Sequence, residues 1–308
     1  MKMLFKLSVA VAALASASMA LAADPLVDVA WVKANLDNDE VVFVDVRPMP
    51  AYLSGHIPGA VHTDYGGPKD AWRVRVGDVR GLVRTPEDIA AHLGAIGVSN
   101  DDHVVVVPAG ESSADMGAAT RVYWTLNYLG HDEVSILDGG MAAYLKELGA
   151  DKKPVNPLEE GAAQVEAAQF AAAPRPDMLI SAKEVAARIA DGAVAVDNRS
   201  ADFYLGISKS GAAKVAGTVP GALNLPHSWT TVNAGGTFRD PDSLVKLFGA
   251  AGVPTSGPQI SFCNTGQLAS IGWFVSHELL GNDEAMIFDG SMAEWTHSGM
   301  ETERKVEF

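Results

Sequence analysis

The sequence predicts an α/β protein made of two copies of one domain, each a mainly parallel sheet with helices on both faces. Two observations support this prediction. Segments of the first half recur in the same order in the second half, which indicates a domain duplication. Within each half, short β-branched runs alternate with segments of helical periodicity. That alternation is typical of βα units around a parallel sheet.

Three pairs of segments carry the repeat. They are residues 42–47 with 194–199, residues 56–60 with 218–222, and residues 136–140 with 287–291. The first pair ends in Asp-x-Arg after a β-branched run, the second contains Pro-Gly-Ala, and the third contains Asp-Gly. Asp197 follows Asp45 by 152 residues, and Asp289 follows Asp138 by 151. The nearly constant offset favours duplication of a whole domain.

The elements follow in order along the chain. In the first copy the pattern predicts strands at 104–107 and 134–137 and a helix at 121–129. In the second copy it predicts helices at 181–189, 244–248 and 271–280 and strands at 194–196, 259–262 and 285–288. Residues 149–177 contain four prolines and no strong periodicity, which indicates a linker. The predicted domains are therefore 24–148 and 178–308.

Residues 1–23 differ from the rest of the chain. Lys2 and Lys6 precede an apolar run rich in alanine and serine, and Ala20-Leu21-Ala22 has the small-x-small form of a cleavage site. We expect a cleaved signal peptide, a periplasmic or secreted location, and no membrane attachment after cleavage. An uncleaved N-terminal membrane anchor is the alternative.

Composition limits the function. The 308 residues carry 23 Lys+Arg and 38 Asp+Glu, a formal charge of −15. Nucleic acid is therefore an unexpected partner, because phosphate binding needs clustered cations. A single cysteine excludes an intramolecular disulfide and a CxxC metal site. The eight histidines show no metal-ligand spacing, so we expect no metal, and a monomer is the default expectation.

The one cysteine, Cys263, follows the strand predicted at 259–262 and precedes a helix. Ligands of open parallel sheets bind beyond the carboxyl ends of the strands. Gly266 allows the loop N–H groups to point inward, and the positive end of the helix dipole adds to their field. Both effects favour the nucleophilic thiolate. The alternative is an inert buried cysteine, because free cysteine often packs as a small apolar residue.

Together these motifs resemble the rhodanese (thiosulfate sulfurtransferase) family in its tandem form. The resemblance rests on the two Asp-x-Arg strand ends, the segment 56–60, the Cys263 loop and residues 289–295. It implies that only the second copy is catalytic. In the first copy the strand 104–107 is followed by a longer loop, 108–117, which has no cysteine. We expect this copy to form a wall of the active-site cleft.

The resemblance also implies a reaction that needs no cofactor. The Cys263 thiolate would take the outer sulfur of thiosulfate or a related donor, and the resulting persulfide would pass it to cyanide or a thiol. Loop N–H groups would hold the transferred sulfur. The candidate site residues are the catalytic Cys263 and the substrate-binding Asn264, Thr265, Gly266, Gln267, Leu268 and Arg199.

The sequence departs from the family at the positions that distinguish donors. Members that use thiosulfate carry a cation two residues after the cysteine and a further arginine, whereas this chain has Thr265 and, by local alignment, Phe203. Members that use mercaptopyruvate carry Gly-Ser after the cysteine, where this chain has Asn264-Thr265. The donor is therefore open between thiosulfate and 3-mercaptopyruvate.

Arginines elsewhere allow two interpretations each. Arg199 would bind the anion of the donor or would only brace the fold through a salt bridge to Asp197. A cluster in the first copy would supply a positive field across the cleft or would be a solvated surface, the interpretation that residue type favours; its members are Arg73, Arg75, Arg80 and Arg84.

Two other functions share this architecture. A Cys-x5-Arg phosphatase is excluded, because the position of the phosphate-binding arginine holds Ala269. A non-enzymatic persulfide carrier or binding module stays open, since the loop after Cys263 is uncharged.

Overall fold

The structure is a computed structural model that describes residues 23–67 and 70–307. The signal peptide predicted at 1–23 lies almost wholly outside the described residues and stays a prediction. Within the described ranges, no helix combines the length and the apolar character needed to cross a bilayer.

The first domain is built on a five-stranded parallel sheet with an added hairpin. Its strands are β1 (Leu26–Val27), β2 (Val41–Asp45), β3 (Val61–His62), β4 (Arg73–Val76), β5 (Val79–Val83), β6 (His103–Val107) and β7 (Val134–Leu137). The sheet order is β1-β7-β6-β2-β3, and β4 pairs antiparallel with β5. The helices are α1 (Val29–Ala34), α2 (Met49–Ser54), α3 (Pro86–Ala95), α4 (Ser113–Tyr128) and α5 (Gly140–Tyr144).

The second domain repeats this plan with four parallel strands. Its strands are β8 (Val194–Asp197), β9 (Leu223–Asn224), β10 (Gln259–Phe262) and β11 (Ala285–Ile287), in the order β11-β10-β8-β9. Its helices are α6 (Ala182–Ala190), α7 (Ala201–Tyr204), α8 (Pro241–Ala251), α9 (Gln267–Phe274) and α10 (Ser291–His297). A π-helical turn, Val275–Leu279, continues α9.

Both faces of each sheet are covered, as the sequence predicts. In β6 the four valines are fully buried and point alternately to opposite faces. Val104 and Val106 belong to one apolar core, whereas Val105 and Val107 belong to another on the opposite side. A strand buried on both sides reads as a continuous apolar run, which explains why the sequence signal was clear.

The largest difference from prediction lies after β6. The sequence predicted a loop over 108–117 and a helix over 121–129, but α4 already begins at Ser113. The Ser112 side chain accepts the Asp115 N–H, and the Asp115 carboxylate accepts the Ser112 N–H, which completes a capping box. The predicted long loop is therefore wrong, and the true loop covers only 108–112.

Helices α4 and α9 form the main contact between the two domains. The Thr120 and Ser270 hydroxyls are hydrogen-bonded at 2.7 Å, and the Tyr123 ring meets the Phe274 ring edge-on at 5.0 Å. The connecting segment 149–177 runs along the first domain, where the Ala168 N–H donates to the Gly94 carbonyl at 2.8 Å. These contacts place the start of α9, and hence Cys263, against the first domain.

Candidate functional site

Cys263 lies where the motif predicts it. It follows the last residue of β10, and α9 begins four residues later at Gln267. The thiol is free, and the residue is only 1% exposed. The cysteine is therefore almost completely enclosed by protein.

Ser291, at the start of α10, holds the cysteine loop. Its Oγ accepts the N–H groups of Cys263 and Gly266 at 3.0 and 3.1 Å and donates to the Phe288 carbonyl at 2.9 Å. The same Oγ lies 4.0 Å from the Cys263 Sγ. Ser291 adopts φ +48°, in the left-handed region that disfavours side chains. The backbone strain is offset by three hydrogen bonds that shape the loop.

Four N–H groups of the loop remain available. In the described part of the chain, the N–H groups of Asn264, Thr265, Gln267 and Leu268 have no protein acceptor. They lie at the positive end of α9, where an anion is stabilised. The fifth expected group is different, because the Gly266 N–H already donates to Ser291. Gly266 contributes instead through its conformation, φ +83°.

Gln267 and Leu268 also connect the loop to the first domain. The Gln267 Oε1 accepts from Arg73 at 3.1 Å, and its Nε2 donates to the Ala114 carbonyl at 3.3 Å. The Leu268 side chain packs on Gly117. The side chains of these two residues therefore fix the loop in place.

Arg199 is almost fully engaged in the fold. Its guanidinium forms an ion pair with Asp197 at 2.6 Å, donates to the Gly217 carbonyl at 2.8 Å and reaches the Asn264 Oδ1 at 3.4 Å. In the first domain, Arg47 makes the same contacts with Asp45 and the Gly55 carbonyl. Because the copy without a cysteine keeps this arrangement, the geometry favours the bracing role.

Sequence reasoning missed Arg121, a residue of α4. It is fully buried and forms an ion pair with Asp289, whose other oxygen accepts the Val83 N–H at 2.9 Å. Arg121 Nη1 lies so close to Gly266 that a Cβ there would come within 2.4 Å of it. The signal was an arginine inside an apolar helical segment, and buried charges need a partner.

A cleft of about 510 Å³ lies between the β4–β5 hairpin and the cysteine loop. Arg73 lines it, is 15% exposed and contacts Gln267, so for this residue the solvated-surface interpretation is wrong. Arg75 and Arg80 are exposed and line the same cleft. Arg84 instead donates to the Asp70 carbonyl and supports the hairpin.

A larger groove, of about 770 Å³, lies at the amino ends of β10 and β11. Trp124 and Trp273 line it, but both are almost fully buried. Since this groove is at the opposite end of the strands from Cys263, it takes no part in the site.

Comparison with known proteins finds the same family in both domains. The rhodanese-like domain matches twice, over residues 28–147 and 181–298. A protein of Saccharopolyspora erythraea named "Putative thiosulfate sulfurtransferase" is 34% identical over 284 residues, covering 89% of this chain and 92% of the relative. The 3-mercaptopyruvate sulfurtransferase of Escherichia coli K12 is 29% identical over 282 residues, covering 86% of this chain and 92% of the relative.

Solved structures show the same fold. The crystal structure of the 3-mercaptopyruvate sulfotransferase SseA from Escherichia coli superposes with a TM-score of 0.71 at 28% identity, covering 88% of this chain and all of that one. The chain therefore belongs to the rhodanese family of sulfurtransferases, in the form with two tandem domains.

Proposed function

We propose that this protein transfers a sulfane sulfur from thiosulfate or a related small donor to a thiophilic acceptor through a persulfide on Cys263. The observation that carries the proposal is the placement of the one cysteine. It lies at the carboxyl end of β10, beside four unused loop N–H groups and the start of α9. Curated relatives named for thiosulfate and 3-mercaptopyruvate sulfur transfer support the same chemistry.

The first half-reaction loads the cysteine. The Cys263 thiolate attacks the outer sulfur of thiosulfate, a new S–S bond forms, and the S–S bond of the donor breaks. Sulfite leaves with the electron pair of the broken bond. The loop N–H groups of Asn264, Thr265, Gln267 and Leu268 would stabilise the negative charge on the transferred sulfur.

The second half-reaction unloads it. Cyanide or a thiolate attacks the terminal sulfur of the persulfide, which breaks the S–S bond and returns its electron pair to Cys263. The product is thiocyanate or a persulfide of the acceptor. Splitting one transfer into two displacements at sulfur is the benefit of covalent catalysis.

The enclosure of Cys263 supports an enzyme rather than a carrier. A persulfide carrier exchanges sulfur with the thiolate of another protein, which must reach the sulfur atom. With Cys263 1% exposed, small donors and acceptors fit this role better. We also propose that residues 1–23 are a signal peptide and that the enzyme acts outside the cytoplasm.

The test is thiocyanate formation by the protein and its Cys263→Ser variant, with thiosulfate and 3-mercaptopyruvate as parallel donors. We expect turnover with at least one donor, loss of all turnover in the variant, and a mass gain of one sulfur atom on the protein treated with donor alone. An active Ser variant would disprove the persulfide. Folded protein with a titratable thiol but no turnover with either donor would instead disprove the small-donor enzyme and leave the carrier.

A further inference from the structure

The cleft beside the cysteine loop is basic in a strongly acidic protein. The chain has a formal charge of −15. Among the residues that the structure describes, however, the charged ones around this cleft are three arginines and one aspartate: Arg73, Arg75, Arg80 and Asp70. Asn264 and Thr265 form the opposite side. A local positive field in a cleft concentrates anions there, because low-dielectric walls focus it.

Of these three arginines, Arg73 is the one that is hydrogen-bonded to the cysteine loop. Its Nε donates to Asp70 at 2.9 Å, its Nη1 donates to the Gln267 side chain at 3.1 Å, and its guanidinium lies 4.2 Å from the centre of the Tyr65 ring. Within the described residues, its Nη2 makes no hydrogen bond to protein. The guanidinium is therefore held in one orientation with a free donor.

Arg75 and Arg80 are less restrained. No carboxylate of the described chain forms an ion pair with either of them. Both are exposed at the mouth of the cleft. Arg75 and Arg80 add positive charge without a fixed orientation, whereas Arg73 supplies a positive charge that is held in one orientation.

Buried polar groups nearby also lack partners. The Tyr65 hydroxyl and the Nε and Nη1 of Arg121 are buried and have no hydrogen-bond partner in the described part of the chain, although such groups are nearly always paired. Burial raises the pKa of the Tyr65 hydroxyl, and the charges of Arg73, Arg121 and Cys263 act on it. Burial lowers the pKa of Arg73, but Tyr65, Asp70 and Cys263 together raise it. Tyr65 and Arg73 are thus close enough to Cys263 for its charge to act on them.

We propose that the first domain binds the anionic end of the sulfur donor, with Arg73 as the main contact, the Tyr65 hydroxyl as a second donor and Arg80 at the rim. The proposal rests on the proposed function, and it names the donor class as small sulfonates or carboxylates that carry a transferable sulfur. It assigns to the domain without a cysteine the charge that Thr265 and Phe203 do not supply in the catalytic domain.

Binding is measured by calorimetry in a Cys263→Ser background, which cannot accept sulfur, with thiosulfate and 3-mercaptopyruvate as separate probes. Adding Arg73→Gln is expected to weaken the affinity about tenfold, since a charge-assisted hydrogen bond is lost. Arg73→Lys should recover part of this loss and Arg80→Gln should cost about threefold. Arg188→Gln, which removes an exposed arginine far from the cleft, should have no effect.

The outcomes separate the two proposals. Unchanged affinity in Arg73→Gln, or no binding of either probe to the Cys263→Ser protein, overturns the anion subsite even if the native enzyme turns over. Arginine-dependent binding without turnover of the native protein supports the subsite and disproves the proposed function. The probe whose affinity falls more in the Arg73→Gln variant identifies which anion, sulfonate or carboxylate, Arg73 binds.

Discussion

The third repeated segment, 136–140 in the first domain and 287–291 in the second, makes the same hydrogen bond to the other domain in both copies. Only the second copy adds a charge pair to it. Asp289 in the second domain accepts the N–H of Val83 from the first, and Asp138 in the first domain accepts the N–H of Phe238 from the second, both at 2.9 Å. Only Asp289 also has a buried arginine, Arg121. The hydrogen bonds of the two aspartates across the interface are therefore symmetric, whereas the ion pair with arginine is present only beside the cysteine loop.

The third residue of this motif shows the same contrast. Ser291 and Gly140 occupy equivalent positions and have φ of +48° and +52°. A Cβ on Gly140 would come within 2.3 Å of the Pro108 carbonyl, so the first domain has no space for a side chain there. The second domain keeps a serine despite the strain, because its hydroxyl organises the cysteine loop.

The largest effect is expected from removing the unique charge pair. Arg121→Met leaves the Asp289 carboxylate buried without its cation, which should lower the free energy of unfolding by about 3–5 kcal/mol. Chemical denaturation followed by fluorescence measures this loss. Arg188→Met, at an exposed arginine of α6, is the matched control and should change stability by less than about 0.5 kcal/mol.

A double variant sharpens the result. Arg121→Met combined with Asp289→Asn removes both charges, and most of the lost stability should return, since an uncharged interior is tolerated better than one unpaired charge. Simple additivity of the two single changes would show that the residues do not act as a pair.

A change at Ser291 should separate activity from stability. Ser291→Gly relieves the positive-φ strain but removes the acceptor of the Cys263 and Gly266 N–H groups. We expect the specificity constant for sulfur transfer to fall about tenfold, while the free energy of unfolding changes by less than about 1 kcal/mol. Steady-state kinetics and denaturation of the same preparation measure the two quantities.

Ser291→Ala is the control, because it loses the hydroxyl but keeps the strain. It should lose the same activity and be about 1 kcal/mol less stable than the glycine variant. Equal activity of the glycine variant and the native protein would show that the hydroxyl does not shape the loop.

The smallest effect is expected at Asp138, the counterpart without a cation. Burial raises the pKa of this carboxyl, and the N–H groups of Phe238 and Gly139 lower it less. With the folded pKa above the unfolded one, its stabilising contribution is present in acid and is lost as the pH rises through the folded value. At neutral pH the ionised group therefore opposes folding.

Asp138→Asn keeps the acceptor for Phe238 and removes the charge. It should be neutral or stabilising by less than about 1 kcal/mol at pH 7 and less favourable near pH 4. Asp289→Asn should be strongly destabilising at pH 7, since it strands Arg121. The pH dependence of unfolding for the two variants measures the contrast, and similar curves would contradict the asymmetry.

The features that could be predicted from the sequence are those that depend on local patterns of residues. The bounds of β7 and β10, the duplication and the place of Cys263 follow from apolar runs, repeated motifs and the strand–loop–helix order. The start of α4 was missed, although Ser112 and Asp115 form a recognisable capping box. Helical periodicity was obscured there, because α4 is buried on nearly all sides between the two domains.

Contacts between segments that are far apart in the sequence could not be predicted from local patterns. Nothing in the order of residues joins Arg121 to Asp289, which lie 168 positions apart. The contact of Arg73 with Gln267 spans 194 positions and depends on how the hairpin folds over the loop. The cysteine was therefore predictable, whereas the charges that surround it required the packed arrangement of both domains.

The reciprocal hydrogen bonds of Asp138 and Asp289 couple the thermal unfolding of the two domains. Each domain supplies an N–H donor to a carboxylate of the other, and helices α4 and α9 share one apolar core. Neither half could open while the other stayed native without stranding a carboxylate and exposing that core. Heating should therefore unfold both domains in one cooperative step, so that the calorimetric and van't Hoff enthalpies of unfolding coincide.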